Sequence, residues 1–113
     1  MIQIETRERN GITILDPKGK ITIGIGDIAL RDSVRSALED GATDLLINFS
    51  KVKRMDSSGL GELVASSERT KAIGGKLKIT NLPSSIEQLL TITALMNALE
   101  VYEDEDAALA SFN

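Results

Sequence analysis

Two hydrophobic periods alternate along the chain, and this alternation limits the fold more than any other feature of the sequence. Apolar and polar residues alternate in the opening stretch and again at 76–81, which is the two-residue period of a β-strand. After Asp27, Ser57 and Pro83, apolar residues instead recur every three or four positions, as they do on one face of an α-helix. Strands that alternate with helices predict an α/β fold in which crossover helices join parallel strands.

The first two strands are predicted to form an antiparallel hairpin. Residues 2–6 alternate between apolar and polar, and the pair Asn10-Gly11 suits a tight hairpin turn before the next apolar stretch. The turn-forming residues at 16–19 are expected to kink or end the second strand, with residues 20–23 as its continuation.

Three later segments are predicted as strands of the same sheet. The run at 45–49 is apolar apart from Asn48, which is typical of a central strand covered on both faces. The segment 76–81 alternates, and residues 99–102 form a last short strand. The predicted fold is therefore a single α/β domain spanning residues 1–113. Its mixed sheet has four to five strands, the antiparallel N-terminal hairpin followed by parallel strands, and about four helices pack on it.

The starts of the last two helices are marked by residues with known capping preferences. Pro83 at the first turn, with Ser84 and Glu87 three residues apart as a capping box, is expected to begin the third helix. The acidic run at 103–106 suits the start of a fourth helix at 107–112, because carboxylates stabilise the positive end of the helix dipole.

The composition argues against several classes of function. Because the chain has no Cys and no His, disulfides, thiol nucleophiles, Ser-His triads and structural zinc sites are not expected, and no metal or catalytic residue is proposed. A net charge of -4 with 3% aromatic residues argues against a nucleic acid partner, which would require clustered cations and stacking side chains. No run approaches the roughly 18 apolar residues of a membrane span, and the first residues are charged, so a cytoplasmic protein is expected.

The segment 24–29, GIGDIA, matches the G-x-G-x-x-A form of a dinucleotide-binding turn between a strand and a helix. Its strand, however, is the second of a hairpin, and Asn48 near the end of the next strand offers no carboxylate for a ribose. The favoured interpretation is a loop that contains Gly24 and Gly26 and is capped by Asp27.

The segment 55–64, MDSSGLGELV, joins the predicted central strand to a helix and is the second candidate site. In the predicted topology it lies at the carboxyl end of that strand, the edge at which open α/β sheets usually bind ligands. One interpretation is a helix cap, in which Asp56 or Ser57 accepts hydrogen bonds from free amides. The other is a surface hydroxyl offered to a partner, because a cap needs only one such residue and this segment has two serines and two glycines. The residues alone leave both interpretations open.

MDSSGLGELV, with DLLINFSKVKRM before it and GGKLKI after it, resembles the STAS domain of bacterial anti-sigma factor antagonists. That family carries an Asp-Ser-Ser/Thr-Gly-Leu-Gly motif at this strand-to-helix turn. The resemblance covers essentially the whole chain, including GKITIGIGDIALRDSVRSAL, LLTITAL and EDEDAALASF. It implies that Ser57 is the phosphoacceptor of an anti-sigma factor serine kinase.

The resemblance implies a phosphorylation-controlled binding protein rather than an enzyme. Unphosphorylated on Ser57, the chain would bind the anti-sigma factor serine kinase and so release a sigma factor. Phosphorylated on Ser57, it would dissociate from the kinase. It would need no cofactor, since the kinase would hold ATP and Mg²⁺, and a serine phosphatase is a further candidate partner. The residues expected to contact the partner or to shape its site are Asp56, Ser58, Gly59, Leu60, Gly61, Gly24, Gly26 and Asp27.

One departure from the family concerns the loop after the second strand. Many members have Gly-Glu-Leu-Asp there, whereas this chain has GKITIGIGD, so the identity of the partner stays open. Two other hypotheses remain. The first is a STAS scaffold or accessory subunit of a stress-signalling complex or lipid transporter, without a phospho-switch. The second is a nucleotide-binding domain that uses the glycines of either loop.

Overall fold

The computed structural model describes residues 2–112, which form six strands and four α-helices. The strands are β1 (Gln3–Arg9), β2 (Ile12–Ile21), β3 (Asp44–Asn48), β4 (Val52–Met55), β5 (Lys76–Thr80) and β6 (Glu100–Tyr102). The helices are α1 (Gly26–Glu39), α2 (Ser57–Ala72), α3 (Ser84–Ile92) and α4 (Glu105–Ser111), and a short 3-10 helix, Met96–Ala98, precedes β6. Within this part of the chain, no helix combines the length and the apolar character that crossing a bilayer requires.

The strands form one mixed sheet, which confirms the predicted fold class. β1 and β2 make the predicted antiparallel hairpin, and the positive φ angles of Asn10 (54°) and Gly11 (79°) turn the chain between them. The remaining pairs, β2 with β3, β3 with β5 and β5 with β6, are parallel, and the strand order is β1-β2-β3-β5-β6. Helices α1, α2 and α3 lie between these strands in sequence, as crossover connections do.

Strand β4 was not predicted, so the predicted count of four to five strands is too low. The central strand β3 ends at Asn48, and the motif follows β4 instead, which corrects the predicted position of the motif. β2 pairs first with β3 at residues 13–15 and then with β4 at residues 19–21, and the register shifts between Gly19 and Lys20. β4 gives no two-residue period, because only its first and last residues are apolar and buried.

The two faces of the sheet carry separate hydrophobic clusters. The larger cluster lies between the sheet and helices α1, α2 and α3, and the smaller one lies beneath α4. β3 contributes to both and is therefore covered on each face, as its apolar run predicts. The larger cluster includes Leu15, Leu45, Ile47, Ile79, Leu30, Val34, Leu63 and Leu90. The smaller one consists of Ile12, Ile14, Leu46, Ala108 and Leu109.

Lys78 is a cation buried in the middle of β5, with 2% of its surface exposed. The alternating pattern predicted the strand but did not indicate that its polar side would be covered. The Lys78 ammonium donates to the hydroxyl of Ser111 at 2.8 Å and to its carbonyl at 3.0 Å, and it lies 4.6 Å from the ring centroid of Phe112. These contacts compensate its desolvation and hold the end of α4 on the sheet.

Of the two predicted helix starts, one is wrong and the other is confirmed. The predicted capping box at Ser84 and Glu87 is wrong, because Pro83 is the N-cap residue and no side chain caps α3. The Pro83 carbonyl instead accepts from the amides of Ile86 and Glu87, both at 3.0 Å. The acidic start of α4 is confirmed, since Asp104 caps this helix through its carboxylate, with the Ala107 amide at 2.8 Å.

An ion-pair network ties the start of α4 to the N-terminal hairpin. Glu105 accepts hydrogen bonds from Arg7 and Arg9 of β1 and from the side-chain amide of Asn48 at 3.2 Å. Arg7 also pairs with Asp16 of β2 at 2.6 Å, which raises the pKa of the guanidinium. The hydrogen bonds from Arg7 and Arg9 lower the pKa of Glu105 from 4.5 to about 2.

The network makes stability depend on pH, and Glu105→Gln tests this. A carboxyl with a lowered folded-state pKa contributes stability above its unfolded value near 4.5, and the contribution disappears as pH falls towards 2. At pH 7 we expect Glu105→Gln to lower the unfolding free energy by about 1–3 kcal/mol. In urea titrations this difference should shrink steadily between pH 5 and pH 2. Asp106→Asn, at a side chain that is 86% exposed, is the control with little expected effect; a Glu105→Gln difference independent of pH would contradict the assignment.

Candidate functional site

Two loops meet at the edge of the sheet where β2 and β4 end. The first, residues 22–25, leads from β2 into α1, and the second is the turn at Asp56 between β4 and α2. β2 and β4 are parallel neighbours, with Ile21 opposite Met55, so both loops leave the sheet at its carboxyl edge. This is the edge at which α/β folds generally place their binding residues.

The Asp56 carboxylate joins the two loops. It is the N-cap of α2, and one oxygen accepts from the Gly59 amide at 2.9 Å. The other oxygen accepts from the Ile23 amide of the neighbouring loop, also at 2.9 Å. These bonds, chiefly the one from Gly59, lower the pKa of Asp56. Of the two predicted capping residues, Asp56 is confirmed, and its ionised side chain fixes the relative position of both loops.

Asp56 thereby leaves the next side chain free. Ser57 is the first residue of α2 and is exposed, whereas Ser58 is half-buried. Gly61 is also exposed, and a Cβ placed on it would meet no atom within 4 Å. Ser57 and Gly61 therefore lie on one accessible part of the first turns of α2, at the positive end of its dipole.

Two glycines are needed because both helices begin against the backbone of β2. A Cβ on Gly59 would lie 2.1 Å from the Ile21 carbonyl oxygen, and one on Gly26 would lie 2.2 Å from the Lys20 carbonyl oxygen. Gly59 and Gly26 are both buried, and Leu60 packs into the main core with 2% exposure. Gly26, Gly59 and Leu60 therefore lie beneath the exposed surface of Ser57 and Gly61 and are not part of it.

The loop before α1 is closed by Asp27. Its carboxylate accepts from the amides of Gly24 at 2.9 Å and Ile28 at 2.8 Å. The predicted cap is corrected in position: Ile25 is the N-cap residue, without a side-chain bond, and Asp27 is the second residue of the helix. In a dinucleotide-binding turn such amides face a phosphate, but here a carboxylate of the chain already occupies them. The geometry does not favour that use of the GIGDIA segment.

Three exposed isoleucines, none of them singled out from the sequence, lie on the same loop and on the first turn of α1. Ile23, Ile25 and Ile28 expose 73%, 69% and 40% of their surfaces. Single exposed apolar side chains are common on protein surfaces, but several close together in the chain are a signal for contact with another molecule. The spacing of these isoleucines in the sequence could have given that signal.

Comparison with known proteins identifies relatives over nearly the whole chain. Residues 3–108 match the STAS domain family model. The anti-sigma-B factor antagonist of Bacillus subtilis (strain 168) is 30% identical over 100 residues, which cover 88% of this chain and 90% of that protein. An anti-sigma factor antagonist from Mycobacterium paratuberculosis has a similar structure, with a TM-score of 0.85, 20% identity and coverage of 98% and 93%. A sulfate transporter family protein from Wolinella succinogenes also has a similar structure, with a TM-score of 0.73 and 18% identity. The match covers 91% of this chain and 85% of that protein's chain.

Substitution by alanine at the two glycines of the motif, Gly59 and Gly61, should have opposite effects on stability. Gly59→Ala would force a methyl group against the backbone of β2 and should lower the unfolding free energy by about 1–3 kcal/mol. Gly61→Ala adds its methyl group in open space within a helix and should raise the unfolding free energy by about 1 kcal/mol. Urea denaturation of both variants beside the wild type measures this, and equal effects of the two substitutions would contradict the described packing.

Proposed function

Because the chain belongs to the STAS domain family, we propose that it is an anti-sigma factor antagonist whose binding is switched by phosphorylation of Ser57. Unphosphorylated, it binds an anti-sigma factor serine kinase and thereby releases a sigma factor. Phosphorylated, it dissociates, and a serine phosphatase restores the binding form. Since sigma factors act in transcription, this role places the protein in the cytoplasm.

The exposure of Ser57 at the start of α2 carries the proposal. Its neighbour Asp56 is held by two backbone amides, so both oxygens of its carboxylate already have partners within the chain. Ser58 is half-buried and is the weaker candidate for modification. A kinase can approach Ser57 along the side of α2 where Gly61 leaves the surface flat.

The chemistry requires little of this chain. The kinase supplies ATP and Mg²⁺, the bond between the γ-phosphorus and ADP breaks, and the Ser57 oxygen forms the new bond while its proton passes to a base of the kinase. The chain contributes the acceptor and the surface on which the kinase docks. We therefore assign it as a binding protein and substrate, with no catalytic residue and no cofactor of its own.

Electrostatics explain how one phosphate would act on binding without acting on the fold. It adds about -1.5 to -2 charges at a helix N-terminus, where the dipole and the first-turn amides favour an anion. The kinase surface, by contrast, must fit a neutral hydroxyl beside the Asp56 carboxylate. A second anionic group there causes repulsion and a desolvation cost at the contact.

The second candidate is a STAS scaffold or accessory subunit without a phospho-switch, in a stress-signalling complex or a lipid transporter. The observation behind it is the fold similarity to a sulfate transporter family protein. Under this hypothesis the motif is only a helix cap, and Asp56, Gly59 and Leu60 would account for it. Phosphate incorporation separates the two candidates.

Incubation with purified anti-sigma factor serine kinases and radiolabelled ATP tests the phosphoacceptor. We expect one phosphate in the wild type and in Ser58→Ala, and none in Ser57→Ala, which should retain kinase binding and show less than about 1 kcal/mol loss of stability because Asp56 is the cap. Peptide mass spectrometry locates the phosphate. Labelling of Ser57→Ala within 56–61 would move the site to Ser58, and no labelling of the wild type by any kinase would favour the scaffold.

The phosphorylated protein tests the mechanism of the switch. With Ser57 quantitatively phosphorylated, we expect an almost unchanged melting temperature and amide exchange map, and a kinase affinity reduced at least tenfold, which is about 1.4 kcal/mol. The three measurements use the same sample. A fall in affinity accompanied by broad loss of amide protection would instead indicate that the phosphate unfolds the turn.

A further inference from the structure

Three exposed isoleucines lie on the loop beside Ser57 and on the first turn of α1. Ile23, Ile25 and Ile28, here called the isoleucine surface, are 73%, 69% and 40% exposed. Solvent exposure of such side chains is unfavourable, and burying one in a contact removes apolar area from water. Nothing in the fold of residues 2–112 requires isoleucine at the first two positions, since their backbone groups alone make the local hydrogen bonds.

The loop is held in one conformation before any partner arrives. The Ile23 amide donates to Asp56 at 2.9 Å, the Gly24 amide donates to Asp27 at 2.9 Å, and the Asp27 amide donates to the Thr22 carbonyl at 3.1 Å. Burial of Gly26 against β2 anchors the same segment. A pre-organised apolar surface loses less conformational entropy on binding, so more of the free energy gained by its burial contributes to affinity.

The isoleucine surface is continuous with the Ser57 site. Asp56 is adjacent to Ser57 in sequence, and its carboxylate accepts the Ile23 amide. A protein seated over Ser57 therefore lies against the loop as well, and the flat surface at Gly61 completes the same side. The two features are parts of one contact area.

Three exposed cations lie near the ends of β2 and β4, the two strands that lead into this area. Lys20 of β2 lies opposite Arg54 of β4, and Lys53 precedes it; all three are exposed. Among residues 2–112, none of them has a carboxylate within ion-pair distance. In a chain with a net charge of -4, a local group of unneutralised cations indicates a partner with carboxylates at the matching edge.

We propose that the isoleucine surface is the specificity-determining contact of this protein: it inserts into an apolar patch on the anti-sigma factor kinase, and carboxylates of the kinase face Lys20, Lys53 and Arg54. The proposal rests on the proposed function and adds the chemistry of the partner's surface.

The test uses a kinase that phosphorylates the wild-type chain, and the double variant Ile23→Ser/Ile25→Ser. Serine is a favoured N-cap residue, so position 25 should tolerate it and the variant should fold. We expect at least tenfold weaker binding by calorimetry, a less negative heat capacity change, and a raised KM for phosphorylation with unchanged kcat, because the isoleucines do not touch the reacting atoms. Lys53→Glu/Arg54→Glu should slow association and weaken its salt dependence.

Ile73→Ser/Ile92→Ser is the matched control. These isoleucines are 52% and 81% exposed but lie at the far ends of α2 and α3, with Ile73 roughly 24 Å from Ser57 along the helix axis. The control should leave affinity and KM unchanged. A kinase affinity of the Ile23→Ser/Ile25→Ser variant equal to that of the wild type would overturn the inference. The proposed function would still stand if phosphorylation of the wild type weakens kinase binding. Loss of a dimer on sedimentation, with kinase affinity retained, would instead assign the surface to a second copy of this chain.

Discussion

The close approach of two helices to the end of β2 is the constraint on which the site depends. α1 and α2 both begin against the backbone of Lys20 and Ile21, and only glycine at 26 and 59 permits this. The same arrangement brings the two loops close enough for a direct hydrogen bond, which the Ile23 amide donates to the Asp56 carboxylate. The relative position of Ser57 and the loop at residues 22–25 is therefore determined by the backbone packing at the two glycines together with the hydrogen bonds of the Asp56 carboxylate.

Charged side chains around the sheet either hold elements of the fold together or remain exposed near its carboxyl edge. The ion pairs of Glu105 with Arg7 and Arg9 hold the start of α4 to the N-terminal hairpin. Lys53 and Arg54 of β4, the strand that leads to Asp56, are exposed. Asp56 combines both roles, because its charge is used by two internal amides while its position determines what surrounds the neighbouring serine.

Much of the fold could be predicted because local chemistry agrees with it. The Asn10-Gly11 hairpin, the apolar run of β3 and the acidic start of α4 each carry a direct signal. β4 could not be predicted, since it is short and held by pairing with β2, and the burial of Lys78 depends on α4, which is distant in sequence. In the site, Asp56 as the cap was within reach of sequence analysis. The role of Gly59 against β2 and the link from Asp56 to Ile23 were not, because both are tertiary contacts.

The packing of Gly59 divides the residues of the motif into those that the fold requires and those that it does not. Selection for folding alone would retain Asp56, Gly59 and Leu60, since the cap, the close approach and the core contact need them in any chain with this arrangement. Ser57 and Gly61 carry no such requirement, since one is exposed and the other lies in open space. Under the proposed function, the exposed serine and the open glycine are therefore the two residues of the motif that serve the partner, whereas Asp56, Gly59 and Leu60 serve the fold in any case.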